Sequence, residues 1–145
     1  FSALLEMGVI PVVNENDSVS SAEIETGQCK VLGDNDTLSA IVAKLCRADL
    51  LVLLSDIDGL YDADPRSHPD ARLIHQVREL TPEILEMAGG AGSWRGTGGM
   101  ATKLSAAGIA MGAGCDMVIT NGKRTEDLYG IVEGADIGTR FLAAR

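Results

Sequence analysis

Gly96-Thr97-Gly98-Gly99-Met100-Ala101-Thr102-Lys103 joins a glycine-rich run to two threonine hydroxyls and a lysine. Glycines let backbone N–H groups approach an anion closely, and a helix starting there adds a favourable dipole. Lys103 brings a mobile positive charge. An exposed loop that is merely flexible has the same composition, and Gly89, Gly90 and Gly92 lie close by. The run lacks the GxxxxGK[ST] spacing of a P-loop. Gly33-Asp34-Asn35-Asp36 stands at a loop-to-helix junction, where one such side chain caps the helix and suits its dipole. Three in succession exceed what a cap needs and leave the others free to face a ligand. Ser55-Asp56-Ile57-Asp58-Gly59 is an acidic turn without the spacing of a calcium-binding loop. Asn14-Glu15-Asn16-Asp17 and Thr120-Asn121-Gly122-Lys123 are two further polar stretches. His68 and His75 have no partner at metal-ligand spacing and read as surface or strand-edge residues. Trp94 either covers a ligand or anchors the glycine loop.

These stretches need elements to hold them. Ser2 to Met7 reads as a helix. Val9-Ile10-Pro11-Val12-Val13 is a β-branched run and reads as a buried strand with Pro11 near an end. Ala22 to Lys30 has the pattern of a hairpin turning at Gly27. Asp36 to Arg47 places Leu38, Ile41, Val42 and Leu45 on one helical face. Asp49 to Leu54 is nearly all apolar, as in a strand covered on both faces. Thr81 is a cap for a helix reaching Met87. Gly89 to Gly99 reads as loop, Thr102 to Met111 as an alanine-rich helix, Met117 to Ile119 as a buried strand, and Glu126 to Val132 as a weak helix. Alternating strands and helices predict an α/β fold with a mostly parallel sheet sandwiched by helices. Ligands of such sheets gather at the carboxyl ends of strands. Three polar stretches follow three apolar runs here, beginning at Asn14, Ser55 and Thr120.

Composition narrows the partners. Of 145 residues, 46% are hydrophobic and 23% charged, ordinary for one globular domain. A net charge of −9 argues against nucleic acid, which needs a basic face. It leaves room for a small phosphorylated ligand held by a few local donors. Cys29, Cys46 and Cys115 are odd in number and widely spaced, which argues against a zinc site or disulfide framework and for a reducing, cytoplasmic compartment. No apolar run has transmembrane length, so no membrane partner is expected.

Together the stretches resemble the amino acid kinase family, and within it the branch whose acceptor is the γ-carboxylate of L-glutamate. The resemblance rests on Pro11-Val12-Val13-Asn14-Glu15-Asn16-Asp17, Gly33 to Ala40, Leu54 to Tyr61, and Gly96 to Lys103, in that order. Each alone recurs by chance, and the four together are specific. The third is shared with uridylate and isopentenyl phosphate kinases. The resemblance implies that residues 1–145 form the C-terminal, nucleotide-binding part of a carbamate kinase-like domain, truncated at its N-terminus. It implies ATP and Mg²⁺ as cofactors. Asp17, Asn35 and Asn14 match glutamate-binding positions. Ser55, Asp56 and Thr97, Gly98, Gly99, Met100, Ala101, Thr102 and Lys103 match ATP-binding positions. Asp36 matches the acidic residue that organises catalytic lysines, and Lys103 lies where the phosphoryl group is transferred. Ser55 stands where most members have Thr and keeps the hydroxyl; Ala101 stands where Ser is common. Uridylate or acetylglutamate as acceptor, or a non-catalytic binding fragment, are the alternatives. Proline as a feedback inhibitor and assembly into a homo-oligomer complete the expectations. The ends at Phe1 and beyond Leu142 lead us to expect a segment of a longer protein, inactive and self-associating when isolated.

Overall fold

The computed structural model describes residues 1–14, 35–89 and 99–144. The elements are α1 (Ser2–Glu6), α2 (Asn35–Cys46), β1 (Leu50–Ser55), β2 (Gln76–Val77), α3 (Pro82–Gly89), α4 (Gly99–Gly112), β3 (Asp116–Asn121), α5 (Asp127–Glu133) and β4 (Thr139–Phe141). The two most apolar runs become the strands at the site. β1 and β3 pair in parallel, with Leu50 opposite Asp116 and Ser55 opposite Asn121. Asp116 to Thr120 are all buried, whereas β1, at the sheet edge, is only partly covered. The sheet order is β1-β3-β4-β2. β2 pairs with β4 in parallel, and the β3–β4 pair is antiparallel. The sheet is therefore mostly parallel, as its alternating pattern predicts, with one reversal after α5. Gly138 makes that reversal possible: its φ is +69°, and a Cβ there would collide with the Ile119 carbonyl.

α2 and α4 lie side by side. Their buried alanines, Ala40, Ala43, Ala106, Ala107 and Ala110, share one core with Leu53, Leu104, Met117, Ile119 and Phe141. Alanine favours the helix and lets helix backbones approach closely. Both helices run straight into the next strand through short turns. α4 closes with the Cys115 N–H bonded to the Ala110 carbonyl and the Gly114 N–H to that of Met111. Gly114 supplies the left-handed residue this closure needs, with φ +81°. α2 closes in the same way, yet its left-handed residue is Arg47, with φ +52°. Thr81 caps α3: its hydroxyl accepts from the Ile84 N–H at 3.5 Å and holds Glu83 below the usual carboxylate range.

Val9 to Val13 is a correction. It forms no strand, and Ile10 and Val12 are 87% and 97% exposed. An apolar run signals a tendency to be buried but does not choose a partner, and a strand exists only through one. Pro11 lacks a backbone N–H. β1 pairs only with β3 among the described residues, so its other edge makes no ladder with this run. The hairpin expected over Ala22 to Lys30 lies outside the described residues, as do Asp17, Trp94, Thr97 and Gly98. No helix among the described residues is long and apolar enough to cross a membrane.

Candidate active site

The connections of the sheet decide where polar groups meet. α2 feeds β1 and α4 feeds β3 through turns of a few residues, so each helix runs antiparallel to its strand. Both helix N-termini therefore sit at the edge where β1 and β3 end. Ser55 and Asn121, the last residues of those strands, face each other in register. Helix N-termini and strand carboxyl ends thus share one edge, the place where α/β sheets bind ligands.

Asp36 and Lys103 meet at this edge. Asp36 is in the first turn of α2, and Lys103 follows the first turn of α4. Lys103 Nζ lies 3.1 Å from Asp36 Oδ2, and the Thr102 hydroxyl donates to the same oxygen at 2.9 Å. The lysine and aspartate side chains are 14% and 20% exposed. The carboxylate is favoured by the α2 dipole. The ammonium is not favoured by that of α4, because a cation near a helix N-terminus opposes the dipole. Asp36 holds it there nonetheless, with Gly99 and Met100 opening the same helix and Ala101 exposed beside them.

Ser55 and Asp56 leave β1 joined by a hydrogen bond from the Ser55 hydroxyl to Asp56 Oδ1 at 3.3 Å. The Ser55 carbonyl accepts from the Gly122 N–H at 2.8 Å. Asp58, which the motifs leave as part of an acidic turn, gathers more partners. Asn121 Nδ2 donates to it at 2.9 Å, the Tyr61 hydroxyl at 3.3 Å, and Arg124 approaches to 3.8 Å. Burial, then the Asp58 charge, push the Tyr61 hydroxyl above its ordinary pKa. Sequence reasoning passed over Asp58, Tyr61 and Arg124. The signal was present: two polar stretches ending parallel strands must lie side by side.

Asn14 and Asn35 line one groove of about 510 Å³, walled otherwise mainly by Pro11, Val13, Leu38, Val42, Leu50 and Leu51. Both asparagines are exposed. Asn35 opens α2, and its carbonyl accepts from the Ser39 hydroxyl at 2.7 Å. No group of three His, Cys, Asp or Glu side chains among the described residues is arranged to hold a metal ion. His68 and His75 are exposed; His75 sits beside β2 with Asp136 at 3.5 Å.

A lysine–aspartate pair thus bridges two helix N-termini of an α/β fold, at the end of a parallel strand pair. The profile of the Amino acid kinase family matches residues 1–121, and the chain belongs to that family. It is 56% identical over 145 residues to a glutamate 5-kinase of Clostridium perfringens, covering all of the chain and 53% of that protein. It is also 56% identical over 139 residues to a glutamate 5-kinase of Deinococcus radiodurans, covering 96% of the chain and 37% of that protein. The chain spans about half the length of the curated relatives it matches. A uridylate kinase from Archaeoglobus fulgidus superposes with a TM-score of 0.57 at 25% identity, over 73% of this chain and 45% of that one. A carbamate kinase from Giardia lamblia bound to AMP-PNP gives 0.54 at 25% identity, over 77% and 36%.

Proposed function

We propose that the protein carrying this chain transfers the γ-phosphoryl group of ATP to the γ-carboxylate of L-glutamate, the first step of proline biosynthesis. The observation that carries the chemistry is Lys103, held by Asp36 against the dipole of its own helix. Identity above half to glutamate 5-kinases across the chain supports glutamate as acceptor.

The acceptor carboxylate has an ordinary pKa of about 4.3, so it is already ionised at neutral pH and needs no general base. Catalysis is then alignment and charge neutralisation. Two anions must be brought together in line. Lys103 offsets their repulsion and the charge of the transferred group. Asp36 orients that lysine, and Thr102 fixes Asp36. Ser55 and Asp56, with Thr97, Gly98, Gly99, Met100 and Ala101, form the ATP site. Asp17, Asn14 and Asn35 hold glutamate. Mg²⁺ would enter with ATP and offset phosphate charge; the described residues hold no group of three His, Cys, Asp or Glu arranged for it. Proline is a feedback inhibitor at or near the glutamate site, and the protein is a cytoplasmic homo-oligomer.

The test is ATP turnover by the whole protein with glutamate, UMP and N-acetylglutamate in parallel, with hydroxylamine to trap an acyl phosphate. Glutamate-dependent ADP and hydroxamate are the expected result. Turnover with another acceptor, and none with glutamate, refutes the reading.

A further inference from the structure

Asp58 occupies an unusual position. It lies on the turn leaving β1, yet its carboxylate is engaged by the last residue of β3 and by one just beyond it. Asn121 Nδ2 donates to Oδ1 at 2.9 Å, and Arg124 lies 3.8 Å from the same oxygen. Arg124 in turn binds Asp127 in the first turn of α5 at 3.0 Å. Asn121 is itself oriented, because its Oδ1 accepts from the Lys123 N–H at 3.0 Å. The other end of the turn is tied as well, by the Gly122 N–H to the Ser55 carbonyl at 2.8 Å. Ser55 to Asp58 is thus stretched between two anchors on one neighbouring turn. Asp56 is exposed between those anchors and bonds to Ser55.

We propose that Asp58 and Asn121 are positioning residues for the nucleotide: they clamp the β1 turn to the β3 turn and so hold Ser55 and Asp56 in their binding orientation. The inference rests on the nucleotide role proposed above for Ser55 and Asp56. A fold-stabilising bond alone would not account for the placement. Asp58 is 43% exposed and lies past the end of the ladder, where such a bond contributes little to the core. A hydrogen bond that preorganises a binding turn acts on affinity instead. The glutamate-site residues Asn14 and Asn35 belong to other segments, so the clamp acts on one substrate only.

The experiment measures AMP-PNP affinity by calorimetry and both KM values in the whole protein. Asn121→Ala is expected to weaken AMP-PNP binding and raise the KM for ATP about tenfold, the scale of one lost charged hydrogen bond. The KM for glutamate and the melting temperature stay unchanged. The exchange Asp58→Asn with Asn121→Asp keeps donor and acceptor across the same gap and still accepts from the Lys123 N–H. It is expected to restore nucleotide affinity that either single change loses. Unchanged nucleotide affinity in folded Asn121→Ala overturns the proposal. So does a parallel rise in both KM values with a lower melting temperature, or an exchange that rescues stability but not affinity. Should the protein bind AMP-PNP yet phosphorylate no glutamate, the acceptor assignment fails while the affinities still decide the clamp. A protein that binds no nucleotide overturns both.

Discussion

Replacing either member of the Asp36–Lys103 pair breaks the same 3.1 Å contact, but the two losses are unequal. Asp36→Ala leaves an ammonium that is 14% exposed, near the N-terminus of α4, with no counter-charge at that contact. Losing a hydrogen bond to a charged group costs about 1.5–3 kcal/mol. The opposing helix dipole adds about 0.3–1 kcal/mol. The Thr102 hydroxyl loses Asp36 but keeps the Gly99 carbonyl at 3.1 Å as acceptor. The change should destabilise by about 3 kcal/mol, or roughly 10 °C in melting temperature for a domain of this size. Lys103→Met leaves the opposite situation. Asp36 keeps the Thr102 hydroxyl and a favourable place at the start of α2. Methionine fills the space of the lysine stem. That change should cost about 1 kcal/mol or less.

Urea unfolding of the wild type, both single variants and the double variant measures these values and their coupling. In the double variant, Lys103→Met removes the stranded cation, so it should be more stable than Asp36→Ala alone. Equal destabilisation by the two single changes would refute the dipole argument. An Asp36→Ala protein as stable as wild type would show that Lys103 is free to turn into solvent and is not held as described.

Lys103→Met should lower kcat at least a hundredfold while glutamate binding changes little, the scale of losing one transition-state charge contact; single-turnover kinetics and glutamate titration check it. Arg47→Gly should stabilise by about 1 kcal/mol, because a side chain at φ +52° strains the α2 closure, and thermal melting reads the gain. Tyr61 is raised above its ordinary value of 10.0 by burial and then by Asp58. The native state therefore holds this proton more tightly than the unfolded chain, so the stability it contributes is present below about pH 10 and is lost as pH rises through the folded value. Tyr61→Phe should make the alkaline decline shallower, as unfolding measured from pH 8 to 11 would show.

The elements readable from local pattern are those whose pattern has one physical solution. Leu38, Ile41, Val42 and Leu45 repeat at helical spacing, and α2 spans Asn35–Cys46. Leu50 to Leu54 and Met117 to Ile119 are unbroken apolar runs, and they form β1 and the centre of β3; the second is buried as expected, the first only in part, with Leu54 47% exposed. β2 and β4 were not readable. They contain two and three residues, too few for a periodic pattern, and exist through pairings with distant segments. Arg140 shows why: its side chain reaches the Ile131 carbonyl at 2.8 Å and Asp116 at 3.7 Å, so a charged residue in a sheet finds partners only the fold provides. Val9 to Val13 failed for the converse reason, since its pattern demands a neighbour that the described residues do not supply.

The same division separates what was legible at the site from what was not. Gly33 to Asp36 has two readings as a sequence, a helix cap and a ligand contact, and both predict an acidic residue in the same place. The structure adds that Asp36 Oδ2 is engaged by Thr102 and Lys103 of the neighbouring helix, 66 and 67 residues away. A cap acts on its own helix, whereas this carboxylate ties α2 to α4. Lys103 is equally uninformative by itself, because a lysine after a glycine loop is common. What makes it exceptional is its place after the first turn of α4, where it opposes the dipole unless an anion is near. Asp36 partly meets that need. An incoming phosphate would meet the rest, so the resting pair stores an electrostatic demand for the anion that the proposed reaction brings.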